Sequence, residues 1–209
     1  MEINKFEENN YVIVKEAISQ ELANFCNEYF LLKRKVVEQM NFAKIISPYV
    51  NYLGTWGDTQ APNTYSHYSD FAMETLLKKL KPMMEKATGR ELYENYSYAR
   101  IYKYGDILHR HKDRFSCEIS TTLNLGGDPW PIYLDPTGGT KNEGVEVNLR
   151  PGDMLLYKGN KLEHWRYVFT GTYCSQVFLH YNDKKTEGAE DNKYDSRPFL
   201  GLPSCYAKR

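Results

Sequence analysis

The chain has 209 residues and a mass of 24.5 kDa, which suits one domain with a sizeable core and disfavours several domains. Its hydrophobic content of 41% argues against general disorder, and its 27 Lys and Arg balance 27 Asp and Glu, so nucleic acid and anionic membranes are not expected partners. Because the sequence shows neither an apolar leader nor an apolar run of membrane-spanning length, we expect a cytoplasmic protein with reduced cysteines.

The amino-terminal part predicts a short strand followed by an amphipathic helix. Tyr11–Val14 is a β-branched and aromatic run, which favours a strand. Ser19 is a suitable N-cap for a helix that ends near Met40. The apolar positions of this helix occur at helical spacing: Leu22, Phe25, Cys26, Tyr29, Phe30 and Leu32.

A long loop and a second helix follow. Residues 46–68 are rich in Gly, Pro, Asn, Ser and Tyr, which predicts an ordered surface loop of the kind that often carries function. The second helix is expected to begin after Ser69 or Asp70, to be interrupted or restarted at Pro82 and to end at Gly89. The positions expected to face inward are Phe71, Met73, Leu76, Leu77 and Leu80.

Beyond residue 92 the hydrophobic period changes from nearly four to two, which is typical of strands. Eight short strands at hairpin spacing predict an antiparallel barrel or sandwich, and with the preceding helices an α+β double-stranded β-helix, or jelly roll. We expect one domain with a helical flank and loop over 1–92, a jelly-roll core over 93–181 and a polar tail over 182–209. The predicted strands are 96–103, 109–115, 119–125, 132–134, 145–149, 153–157, 163–169 and 174–181.

A His-x-Asp pair and a distant histidine form the strongest chemical signal. His111 and Asp113 fall at alternate positions of the strand predicted over 109–115, so their side chains share one face. A single His-x-Asp also suits an ordinary surface strand. With a third ligand such as His164, however, the set becomes the facial triad of non-heme Fe(II) sites, which leaves coordination positions open for chemistry.

Taken in order, the chain resembles the Fe(II)- and 2-oxoglutarate-dependent oxygenases of the prolyl hydroxylase type over nearly its whole length. The resemblance implies a jelly-roll fold and implies that His111, Asp113 and His164 bind Fe(II). It depends on five stretches taken together: Arg-Ile-Tyr-Lys-Tyr-Gly-Asp (100–106), His-Lys-Asp-Arg (111–114), Cys-Glu-Ile-Ser (117–120), Pro-Trp-Pro-Ile (129–132) and Glu-His-Trp-Arg (163–166).

Two other histidines compete as ligands. His109 shares the predicted strand face of His111, but as a ligand it would depart from the family pattern, so a substrate contact or a supporting hydrogen bond is expected instead. His180 lies on the last predicted strand, one strand too late for the pattern, and is expected to be a satisfied core or surface residue.

The distal carboxylate of 2-oxoglutarate needs a cation or hydroxyl in the barrel, because a buried carboxylate without a partner is costly. Most relatives carry a basic residue roughly ten positions after the distal histidine. Here Tyr173, Cys174 and Ser175 occupy that region, and none of them is cationic.

Four other residues are candidates for the cosubstrate contacts. Tyr102 matches a tyrosine that binds the cosubstrate in related oxygenases and is the first choice. Arg100 shares its strand face and Arg166 shares that of His164, and one of these two arginines is expected to clamp the carboxylate. Gln176 on the final strand is a further hydrogen-bonding candidate.

The resemblance implies hydroxylation of a C–H bond with Fe(II), 2-oxoglutarate and O₂, release of succinate and CO₂, and possible use of ascorbate. The expected substrate is a prolyl residue in a peptide or protein, with a free amino acid or another small molecule as the alternative. A non-catalytic metal-binding jelly roll is the competing class, supported by the missing basic residue on the last strand. A nucleic-acid demethylase is disfavoured by the neutral charge.

Overall fold

Two antiparallel β-sheets organise the chain, and helices lie against the larger one. The computed structural model describes residues 4–47, 49–139 and 142–208. The helices within these ranges are α1 (Asn4–Asn9), α2 (Gln20–Phe42) and α3 (Phe71–Thr88). The strands are β1 (Tyr11–Val14), β2 (Tyr65–Tyr68), β3 (Leu92–Lys103), β4 (Leu108–His111), β5 (Ile119–Gly127), β6 (Ile132–Leu134), β7 (Val145–Val147), β8 (Met154–Tyr157), β9 (His164–Arg166) and β10 (Tyr173–Asp183).

The strand order confirms the predicted α+β double-stranded β-helix. The larger sheet runs β1-β8-β5-β10-β3-β2 and the smaller one β4-β9-β6-β7. β10 lies in the middle of the larger sheet, and all of its residues after Tyr173 are buried. Burial on both faces suits the apolar run at its centre, residues 177–179, and buried polar residues such as Gln176 and Asn182 are hydrogen-bonded.

The helices cover one face of the larger sheet, where α2 packs on β5 and α3 packs on β3 and β10. The predicted caps are present. The Ser19 hydroxyl accepts a hydrogen bond from Leu22 N at 3.2 Å, the Asp70 carboxylate accepts from Met73 N at 3.2 Å, and Gly89 ends α3 with a left-handed φ of 67°, which a residue with a side chain rarely adopts. None of the helices in the described ranges is long and apolar enough to cross a bilayer.

Two expectations about α3 are wrong. Pro82 neither interrupts nor restarts it, since one helix continues to Thr88. Pro82 and Lys78, whose carbonyl loses its usual donor, are both exposed, so water can satisfy that carbonyl. Phe71 does not face inward but is 75% exposed, at the first position of the helix.

Two loop and strand boundaries also differ from the prediction. The loop expected over residues 46–68 ends in β2, which pairs with β3. The strand expected over 109–115 stops at His111, and a short 3-10 turn, Phe115–Cys117, follows. Asp113 therefore lies in a loop after β4, and its position depends on tertiary contacts and not on strand alternation.

The carboxyl-terminal residues are more than a polar tail. β10 continues to Asp183, and the buried Arg197 guanidinium bonds Glu74 of α3 at 2.8 Å. This buried pair anchors the segment to α3. The larger sheet also contains β1 and β2, so the boundary expected at residue 92 does not separate helices from sheet, while a single domain remains our prediction.

A buried carboxylate joins α2, β2 and α3 and gives a stability prediction. Asp70 accepts hydrogen bonds from Tyr29, Lys33 and His67. Burial would raise the pKa of Asp70, but the His67 and Lys33 bonds hold it well below its ordinary value. We expect Asp70→Asn to lower the free energy of unfolding by about 3 kcal/mol, because Lys33 then loses its counter-charge.

The same substitution is expected to make the free energy of unfolding depend less on pH in the acid range. Because the folded-state pKa of Asp70 lies below the unfolded value of about 3.9, its contribution is complete above about pH 5 and is lost as the pH falls toward the folded-state pKa. Urea unfolding from about pH 7 to about pH 3 measures this, with Glu38→Gln on the exposed side of α2 as control. Equal pH slopes for Asp70→Asn and the natural chain would contradict the assignment.

Candidate metal centre

The two histidines predicted as ligands are brought together by strand pairing. β4 and β9 are antiparallel neighbours, and their register places His111 opposite His164. The two imidazole centroids are 4.3 Å apart. Asp113 joins them from the loop after β4, where its backbone N donates to the Gly159 carbonyl at 2.9 Å.

The donor atoms of these three side chains fit a shared ion. Asp113 Oδ1 lies 3.5 Å from His111 Nε2 and 3.6 Å from His164 Nε2, and one ligand atom from each residue lies within 4.8 Å of the others. An ion bound at roughly 2.0 to 2.2 Å keeps its ligand atoms within about 4.4 Å of each other. Two imidazole nitrogens and one carboxylate oxygen are also the donor set of the non-heme Fe(II) facial triad.

Backbone carbonyls select the imidazole tautomer that a metal needs. His111 Nδ1 lies 2.7 Å from the His109 carbonyl, and His164 Nδ1 lies 3.1 Å from the Leu162 carbonyl. A carbonyl oxygen only accepts, so each Nδ1 carries the proton and donates. In the neutral ring each Nε2 is then the unprotonated nitrogen and lies beside Asp113, as in metal sites whose other ring nitrogen is held by the protein.

The local charges keep Asp113 ionised. Burial would raise the pKa of Asp113, but the His164 and His111 imidazoles hold it well below its usual range. Burial likewise opposes protonation of His111, yet its bonds to Asp113 and the His109 carbonyl raise its pKa above the ordinary value. A carboxylate that stays charged inside the protein is prepared to bind a cation.

A glycine makes room for the Asp113 carboxylate. A Cβ built on Gly159 would lie 2.6 Å from Asp113 Oδ2, 2.6 Å from Ser120 Oγ and 2.5 Å from the Cys117 carbonyl. Any side chain at this position would displace the carboxylate or its neighbours. The close approach of Gly159 thus gives Asp113 its place beside the two histidines.

A second, overlapping set of possible ligands consists of Asp113, Cys117 and His180. Burial raises the pKa of the Cys117 thiol, which disfavours the thiolate that binds metals. His180 is buried, bonds Ser120 Oγ through Nδ1 at 2.9 Å, and burial lowers its pKa to about 4. We therefore favour the set that contains His111 and His164.

The triad opens on a cavity of about 230 Å³. His109 is exposed and does not line it, whereas His180 does. The residues that line the cavity besides the triad are Gln60, Tyr96, Tyr98, Arg100, Leu108, Cys117, Ile132, Tyr157, Phe178 and His180.

Arg100 lines the cavity but is already neutralised. Its guanidinium forms a 2.5 Å ion pair with Asp58, donates to Gln60 Oε1 at 2.7 Å and donates to the Tyr102 hydroxyl at 3.0 Å. Asp58 also accepts from Tyr98 at 2.7 Å. The sequence indicated a functional loop over residues 46–68 but not that its Asp58 pairs with Arg100 on β3.

Arg166, unlike Arg100, is not paired with a carboxylate of the described residues. It is 1% exposed, donates to the Trp130 carbonyl and, at 3.5 Å, to Thr122 Oγ1, and its Nε has no partner among the described residues. Among the described residues no carboxylate forms an ion pair with it, and burial lowers its pKa. An arginine remains charged even so, so this side chain is a buried cation with no counter-ion in the part of the chain that the structure describes.

Gln176 and Tyr102 are buried close to these arginines. Thr122 Oγ1, which accepts from Arg166, donates to Gln176 Oε1 at 3.1 Å. Tyr102 contacts the Trp130 ring, with centroids 4.8 Å apart, while Arg166 lies over the same indole at 4.9 Å. Arg166, Tyr102 and Gln176 are not among the residues that line the cavity with the triad. They form a separate buried polar cluster next to β9.

Comparison with known proteins identifies the fold. The sequence matches no protein-family model and no curated protein. Solved structures do match. A prolyl-4-hydroxylase of Pseudomonas putida aligns with a TM-score of 0.57 and 13% identity over 87% of this chain and 97% of its own.

Two further structures widen the comparison. The non-heme alpha ketoglutarate dependent epimerase SnoN from nogalamycin biosynthesis aligns with a TM-score of 0.64 and 14% identity, covering 87% of this chain and 80% of its own. HygX from Streptomyces hygroscopicus, solved with nickel and 2-oxoglutarate bound, aligns with a TM-score of 0.59 and 12% identity. The alignment covers 88% of this chain and 86% of the HygX chain. The chain therefore has the double-stranded β-helix fold found in 2-oxoglutarate-dependent Fe(II) oxygenases.

Proposed function

We propose that the protein is an Fe(II)- and 2-oxoglutarate-dependent dioxygenase that hydroxylates a C–H bond with O₂ and releases succinate and CO₂. The observation that carries the proposal is the convergence of the His111, Asp113 and His164 donor atoms, whose residues line one cavity. The fold shared with enzymes named for this cosubstrate supports it.

In this proposal His111, Asp113 and His164 hold the iron, which when bound supplies the oxidation chemistry that amino-acid side chains lack. The chain's own part is to bind and to exclude water. The backbone carbonyls of His109 and Leu162 keep the protons on Nδ1, so each Nε2 can accept a metal once the Gln60 amide, 2.9 Å from His111 Nε2, moves aside. Apolar lining residues such as Ile132 and Phe178 limit the access of water to the site.

Arg166 is the proposed clamp for the distal carboxylate of 2-oxoglutarate. It lies two residues after His164 on β9, about 6.6 Å along the strand, which suits the separation of the two ends of a five-carbon dicarboxylate. A buried guanidinium without an anion is costly, and a carboxylate ligand would satisfy it. Tyr102 and Gln176 are its proposed neighbours in this contact, whereas Arg100 already has Asp58.

The substrate we propose is a prolyl residue of a peptide or protein. Among the described lining residues, the charged groups are Arg100, which is paired with Asp58, and Asp113, which faces the metal position. A free amino acid carries an ammonium and a carboxylate that would each need a partner, and neither is offered. The rings of Tyr98 and Phe178 suit an apolar ring on a neutral backbone.

The direct test is oxygen transfer. Protein incubated with Fe(II), 2-oxoglutarate, ascorbate and air should form succinate, and proline-containing peptides or cell-extract proteins should gain one oxygen atom by mass spectrometry. Succinate formation should require added Fe(II).

The other outcomes separate the alternatives. Gain of oxygen on free proline or another free amino acid, with none on peptides, would overturn the peptide assignment. Metal binding without affinity for 2-oxoglutarate or for N-oxalylglycine would favour a non-catalytic binding module and contradict the dioxygenase proposal.

A further inference from the structure

The solvent side of α2 carries an apolar stripe. Phe25, Leu32 and Val36 are 65%, 63% and 47% exposed. A different side of the same helix packs on the sheet, through Ala23, Cys26, Phe30 and Val37. Single exposed apolar residues are ordinary, but a row of large ones along one helix marks an interaction surface.

The spacing of the stripe is that of a coiled-coil seam. Phe25, Tyr29, Leu32 and Val36 follow one another at intervals of four, three and four residues, which is the alternation of a and d positions in a heptad. Tyr29 is half-buried and its hydroxyl is bound to Asp70, so only the exposed part of its ring contributes, and the other three are exposed. Such a seam packs best against another helix with the same spacing, because side chains then interdigitate in regular layers.

Two charges flank the seam on the same edge. Glu28 and Lys35 directly precede Tyr29 and Val36, so both occupy g positions of the heptad. Both are exposed, and neither forms an ion pair with any residue in the described ranges. When two copies of one helix pack antiparallel, like edges face each other, so Glu28 of each copy meets Lys35 of the other.

The apolar positions match in the same register. With Glu28 opposite Lys35, Phe25 lies opposite Val36 and Tyr29 opposite Leu32, and the two-fold axis repeats both layers. A parallel pair would instead direct Glu28 toward Lys33, which is already bound to Asp70. The charge pattern therefore favours the antiparallel arrangement.

We propose that α2 is a self-association surface and that its occupant is α2 of a second copy of this chain, packed antiparallel around a two-fold axis. The 23 residues of α2 span about 35 Å, which provides four apolar layers and two ion pairs. An interface of this size belongs to the small class, so the dimer is expected to be reversible. The proposal does not depend on the proposed catalytic function.

Sedimentation velocity over a concentration series tests the surface. The natural chain should shift from monomer to dimer as its concentration rises. Leu32→Glu, which buries a charge in two layers, should raise the dimer dissociation constant by about 100-fold. Val168→Glu, at a position 53% exposed outside α2, is the matched control and should leave association unchanged, and near-ultraviolet circular dichroism shows whether each variant is folded.

Charge exchange tests the orientation. Glu28→Lys and Lys35→Glu should each weaken self-association, because each places like charges opposite one another. An equimolar mixture of these two variants should associate again as a heterodimer, and the double variant should recover the natural behaviour. A natural chain that stays monomeric at all concentrations, or single-charge variants that associate as the natural chain does, would overturn the proposal.

Discussion

His111→Ala is expected to abolish succinate formation from 2-oxoglutarate. The substitution removes one of the three proposed ligand atoms, His111 Nε2. In the natural chain this atom lies 3.5 Å from Asp113 Oδ1. Loss of a supporting hydrogen bond alone typically weakens metal affinity 10- to 100-fold, so we expect loss of a ligand to weaken it by about 100-fold or more. His111 is half-buried at the end of β4, so the fold should persist.

The matched control is His109→Ala. His109 lies two residues earlier on β4 and is exposed, and its contact with His111 uses the backbone carbonyl, which the substitution retains. Turnover and metal affinity should therefore stay at the natural level. Titration of the metal-free protein with Co(II), followed by its visible absorption, provides a readout that does not require activity. Unchanged turnover or unchanged Co(II) affinity in His111→Ala would refute the ligand assignment.

Arg166→Met is expected to produce two opposite effects. The affinity for 2-oxoglutarate should fall by about 100-fold, because a charge-assisted pairing with the distal carboxylate is lost. The ligand-free protein should be equally stable or more stable by about 1 kcal/mol, because an apolar side chain of similar volume replaces a buried cation without a counter-ion. Thermal unfolding with Mn(II), in the presence and absence of N-oxalylglycine, measures both effects in one experiment.

Arg100→Met is the contrasting variant. Its removal leaves Asp58, a largely buried carboxylate, without the partner that it bonds at 2.5 Å, so the ligand-free protein should lose about 3 kcal/mol of stability. Stabilisation by N-oxalylglycine should remain. The reverse pattern, in which N-oxalylglycine stabilises the Arg166→Met variant but not the Arg100→Met variant, would assign the carboxylate clamp to Arg100.

Local signals in the sequence predicted most of the helices and strands. Ser19, Asp70 and Gly89 mark helix ends because their chemistry satisfies backbone groups of adjacent residues, and the structure contains all three caps. The change to a period of two predicted the strands of the core for the same reason, since alternation is a property of neighbouring residues. Pro82 was misjudged because tolerance of proline in a helix depends on which side of the helix faces water.

The exposed stripe on α2 shows where pattern and burial differ. Phe25 and Leu32 fit the helical spacing as well as Cys26 and Phe30 do, yet the first two face solvent and the last two face the sheet. Spacing predicts that a helix forms, but it does not tell which of two apolar sides the sheet covers, because that depends on where β5 lies.

By itself the sequence determined the residue types of the proposed site: a His-x-Asp pair, one distant histidine and arginines near both. Only the tertiary structure decided how they meet. The register of β4 with β9 places His111 opposite His164, and a loop after β4 positions Asp113 beside Gly159. Asp58 neutralises Arg100, whereas the Arg166 Nε has no partner among the described residues. The physical reason is that pairing between residues far apart in the chain follows from the packing of whole sheets and loops, which no local period encodes.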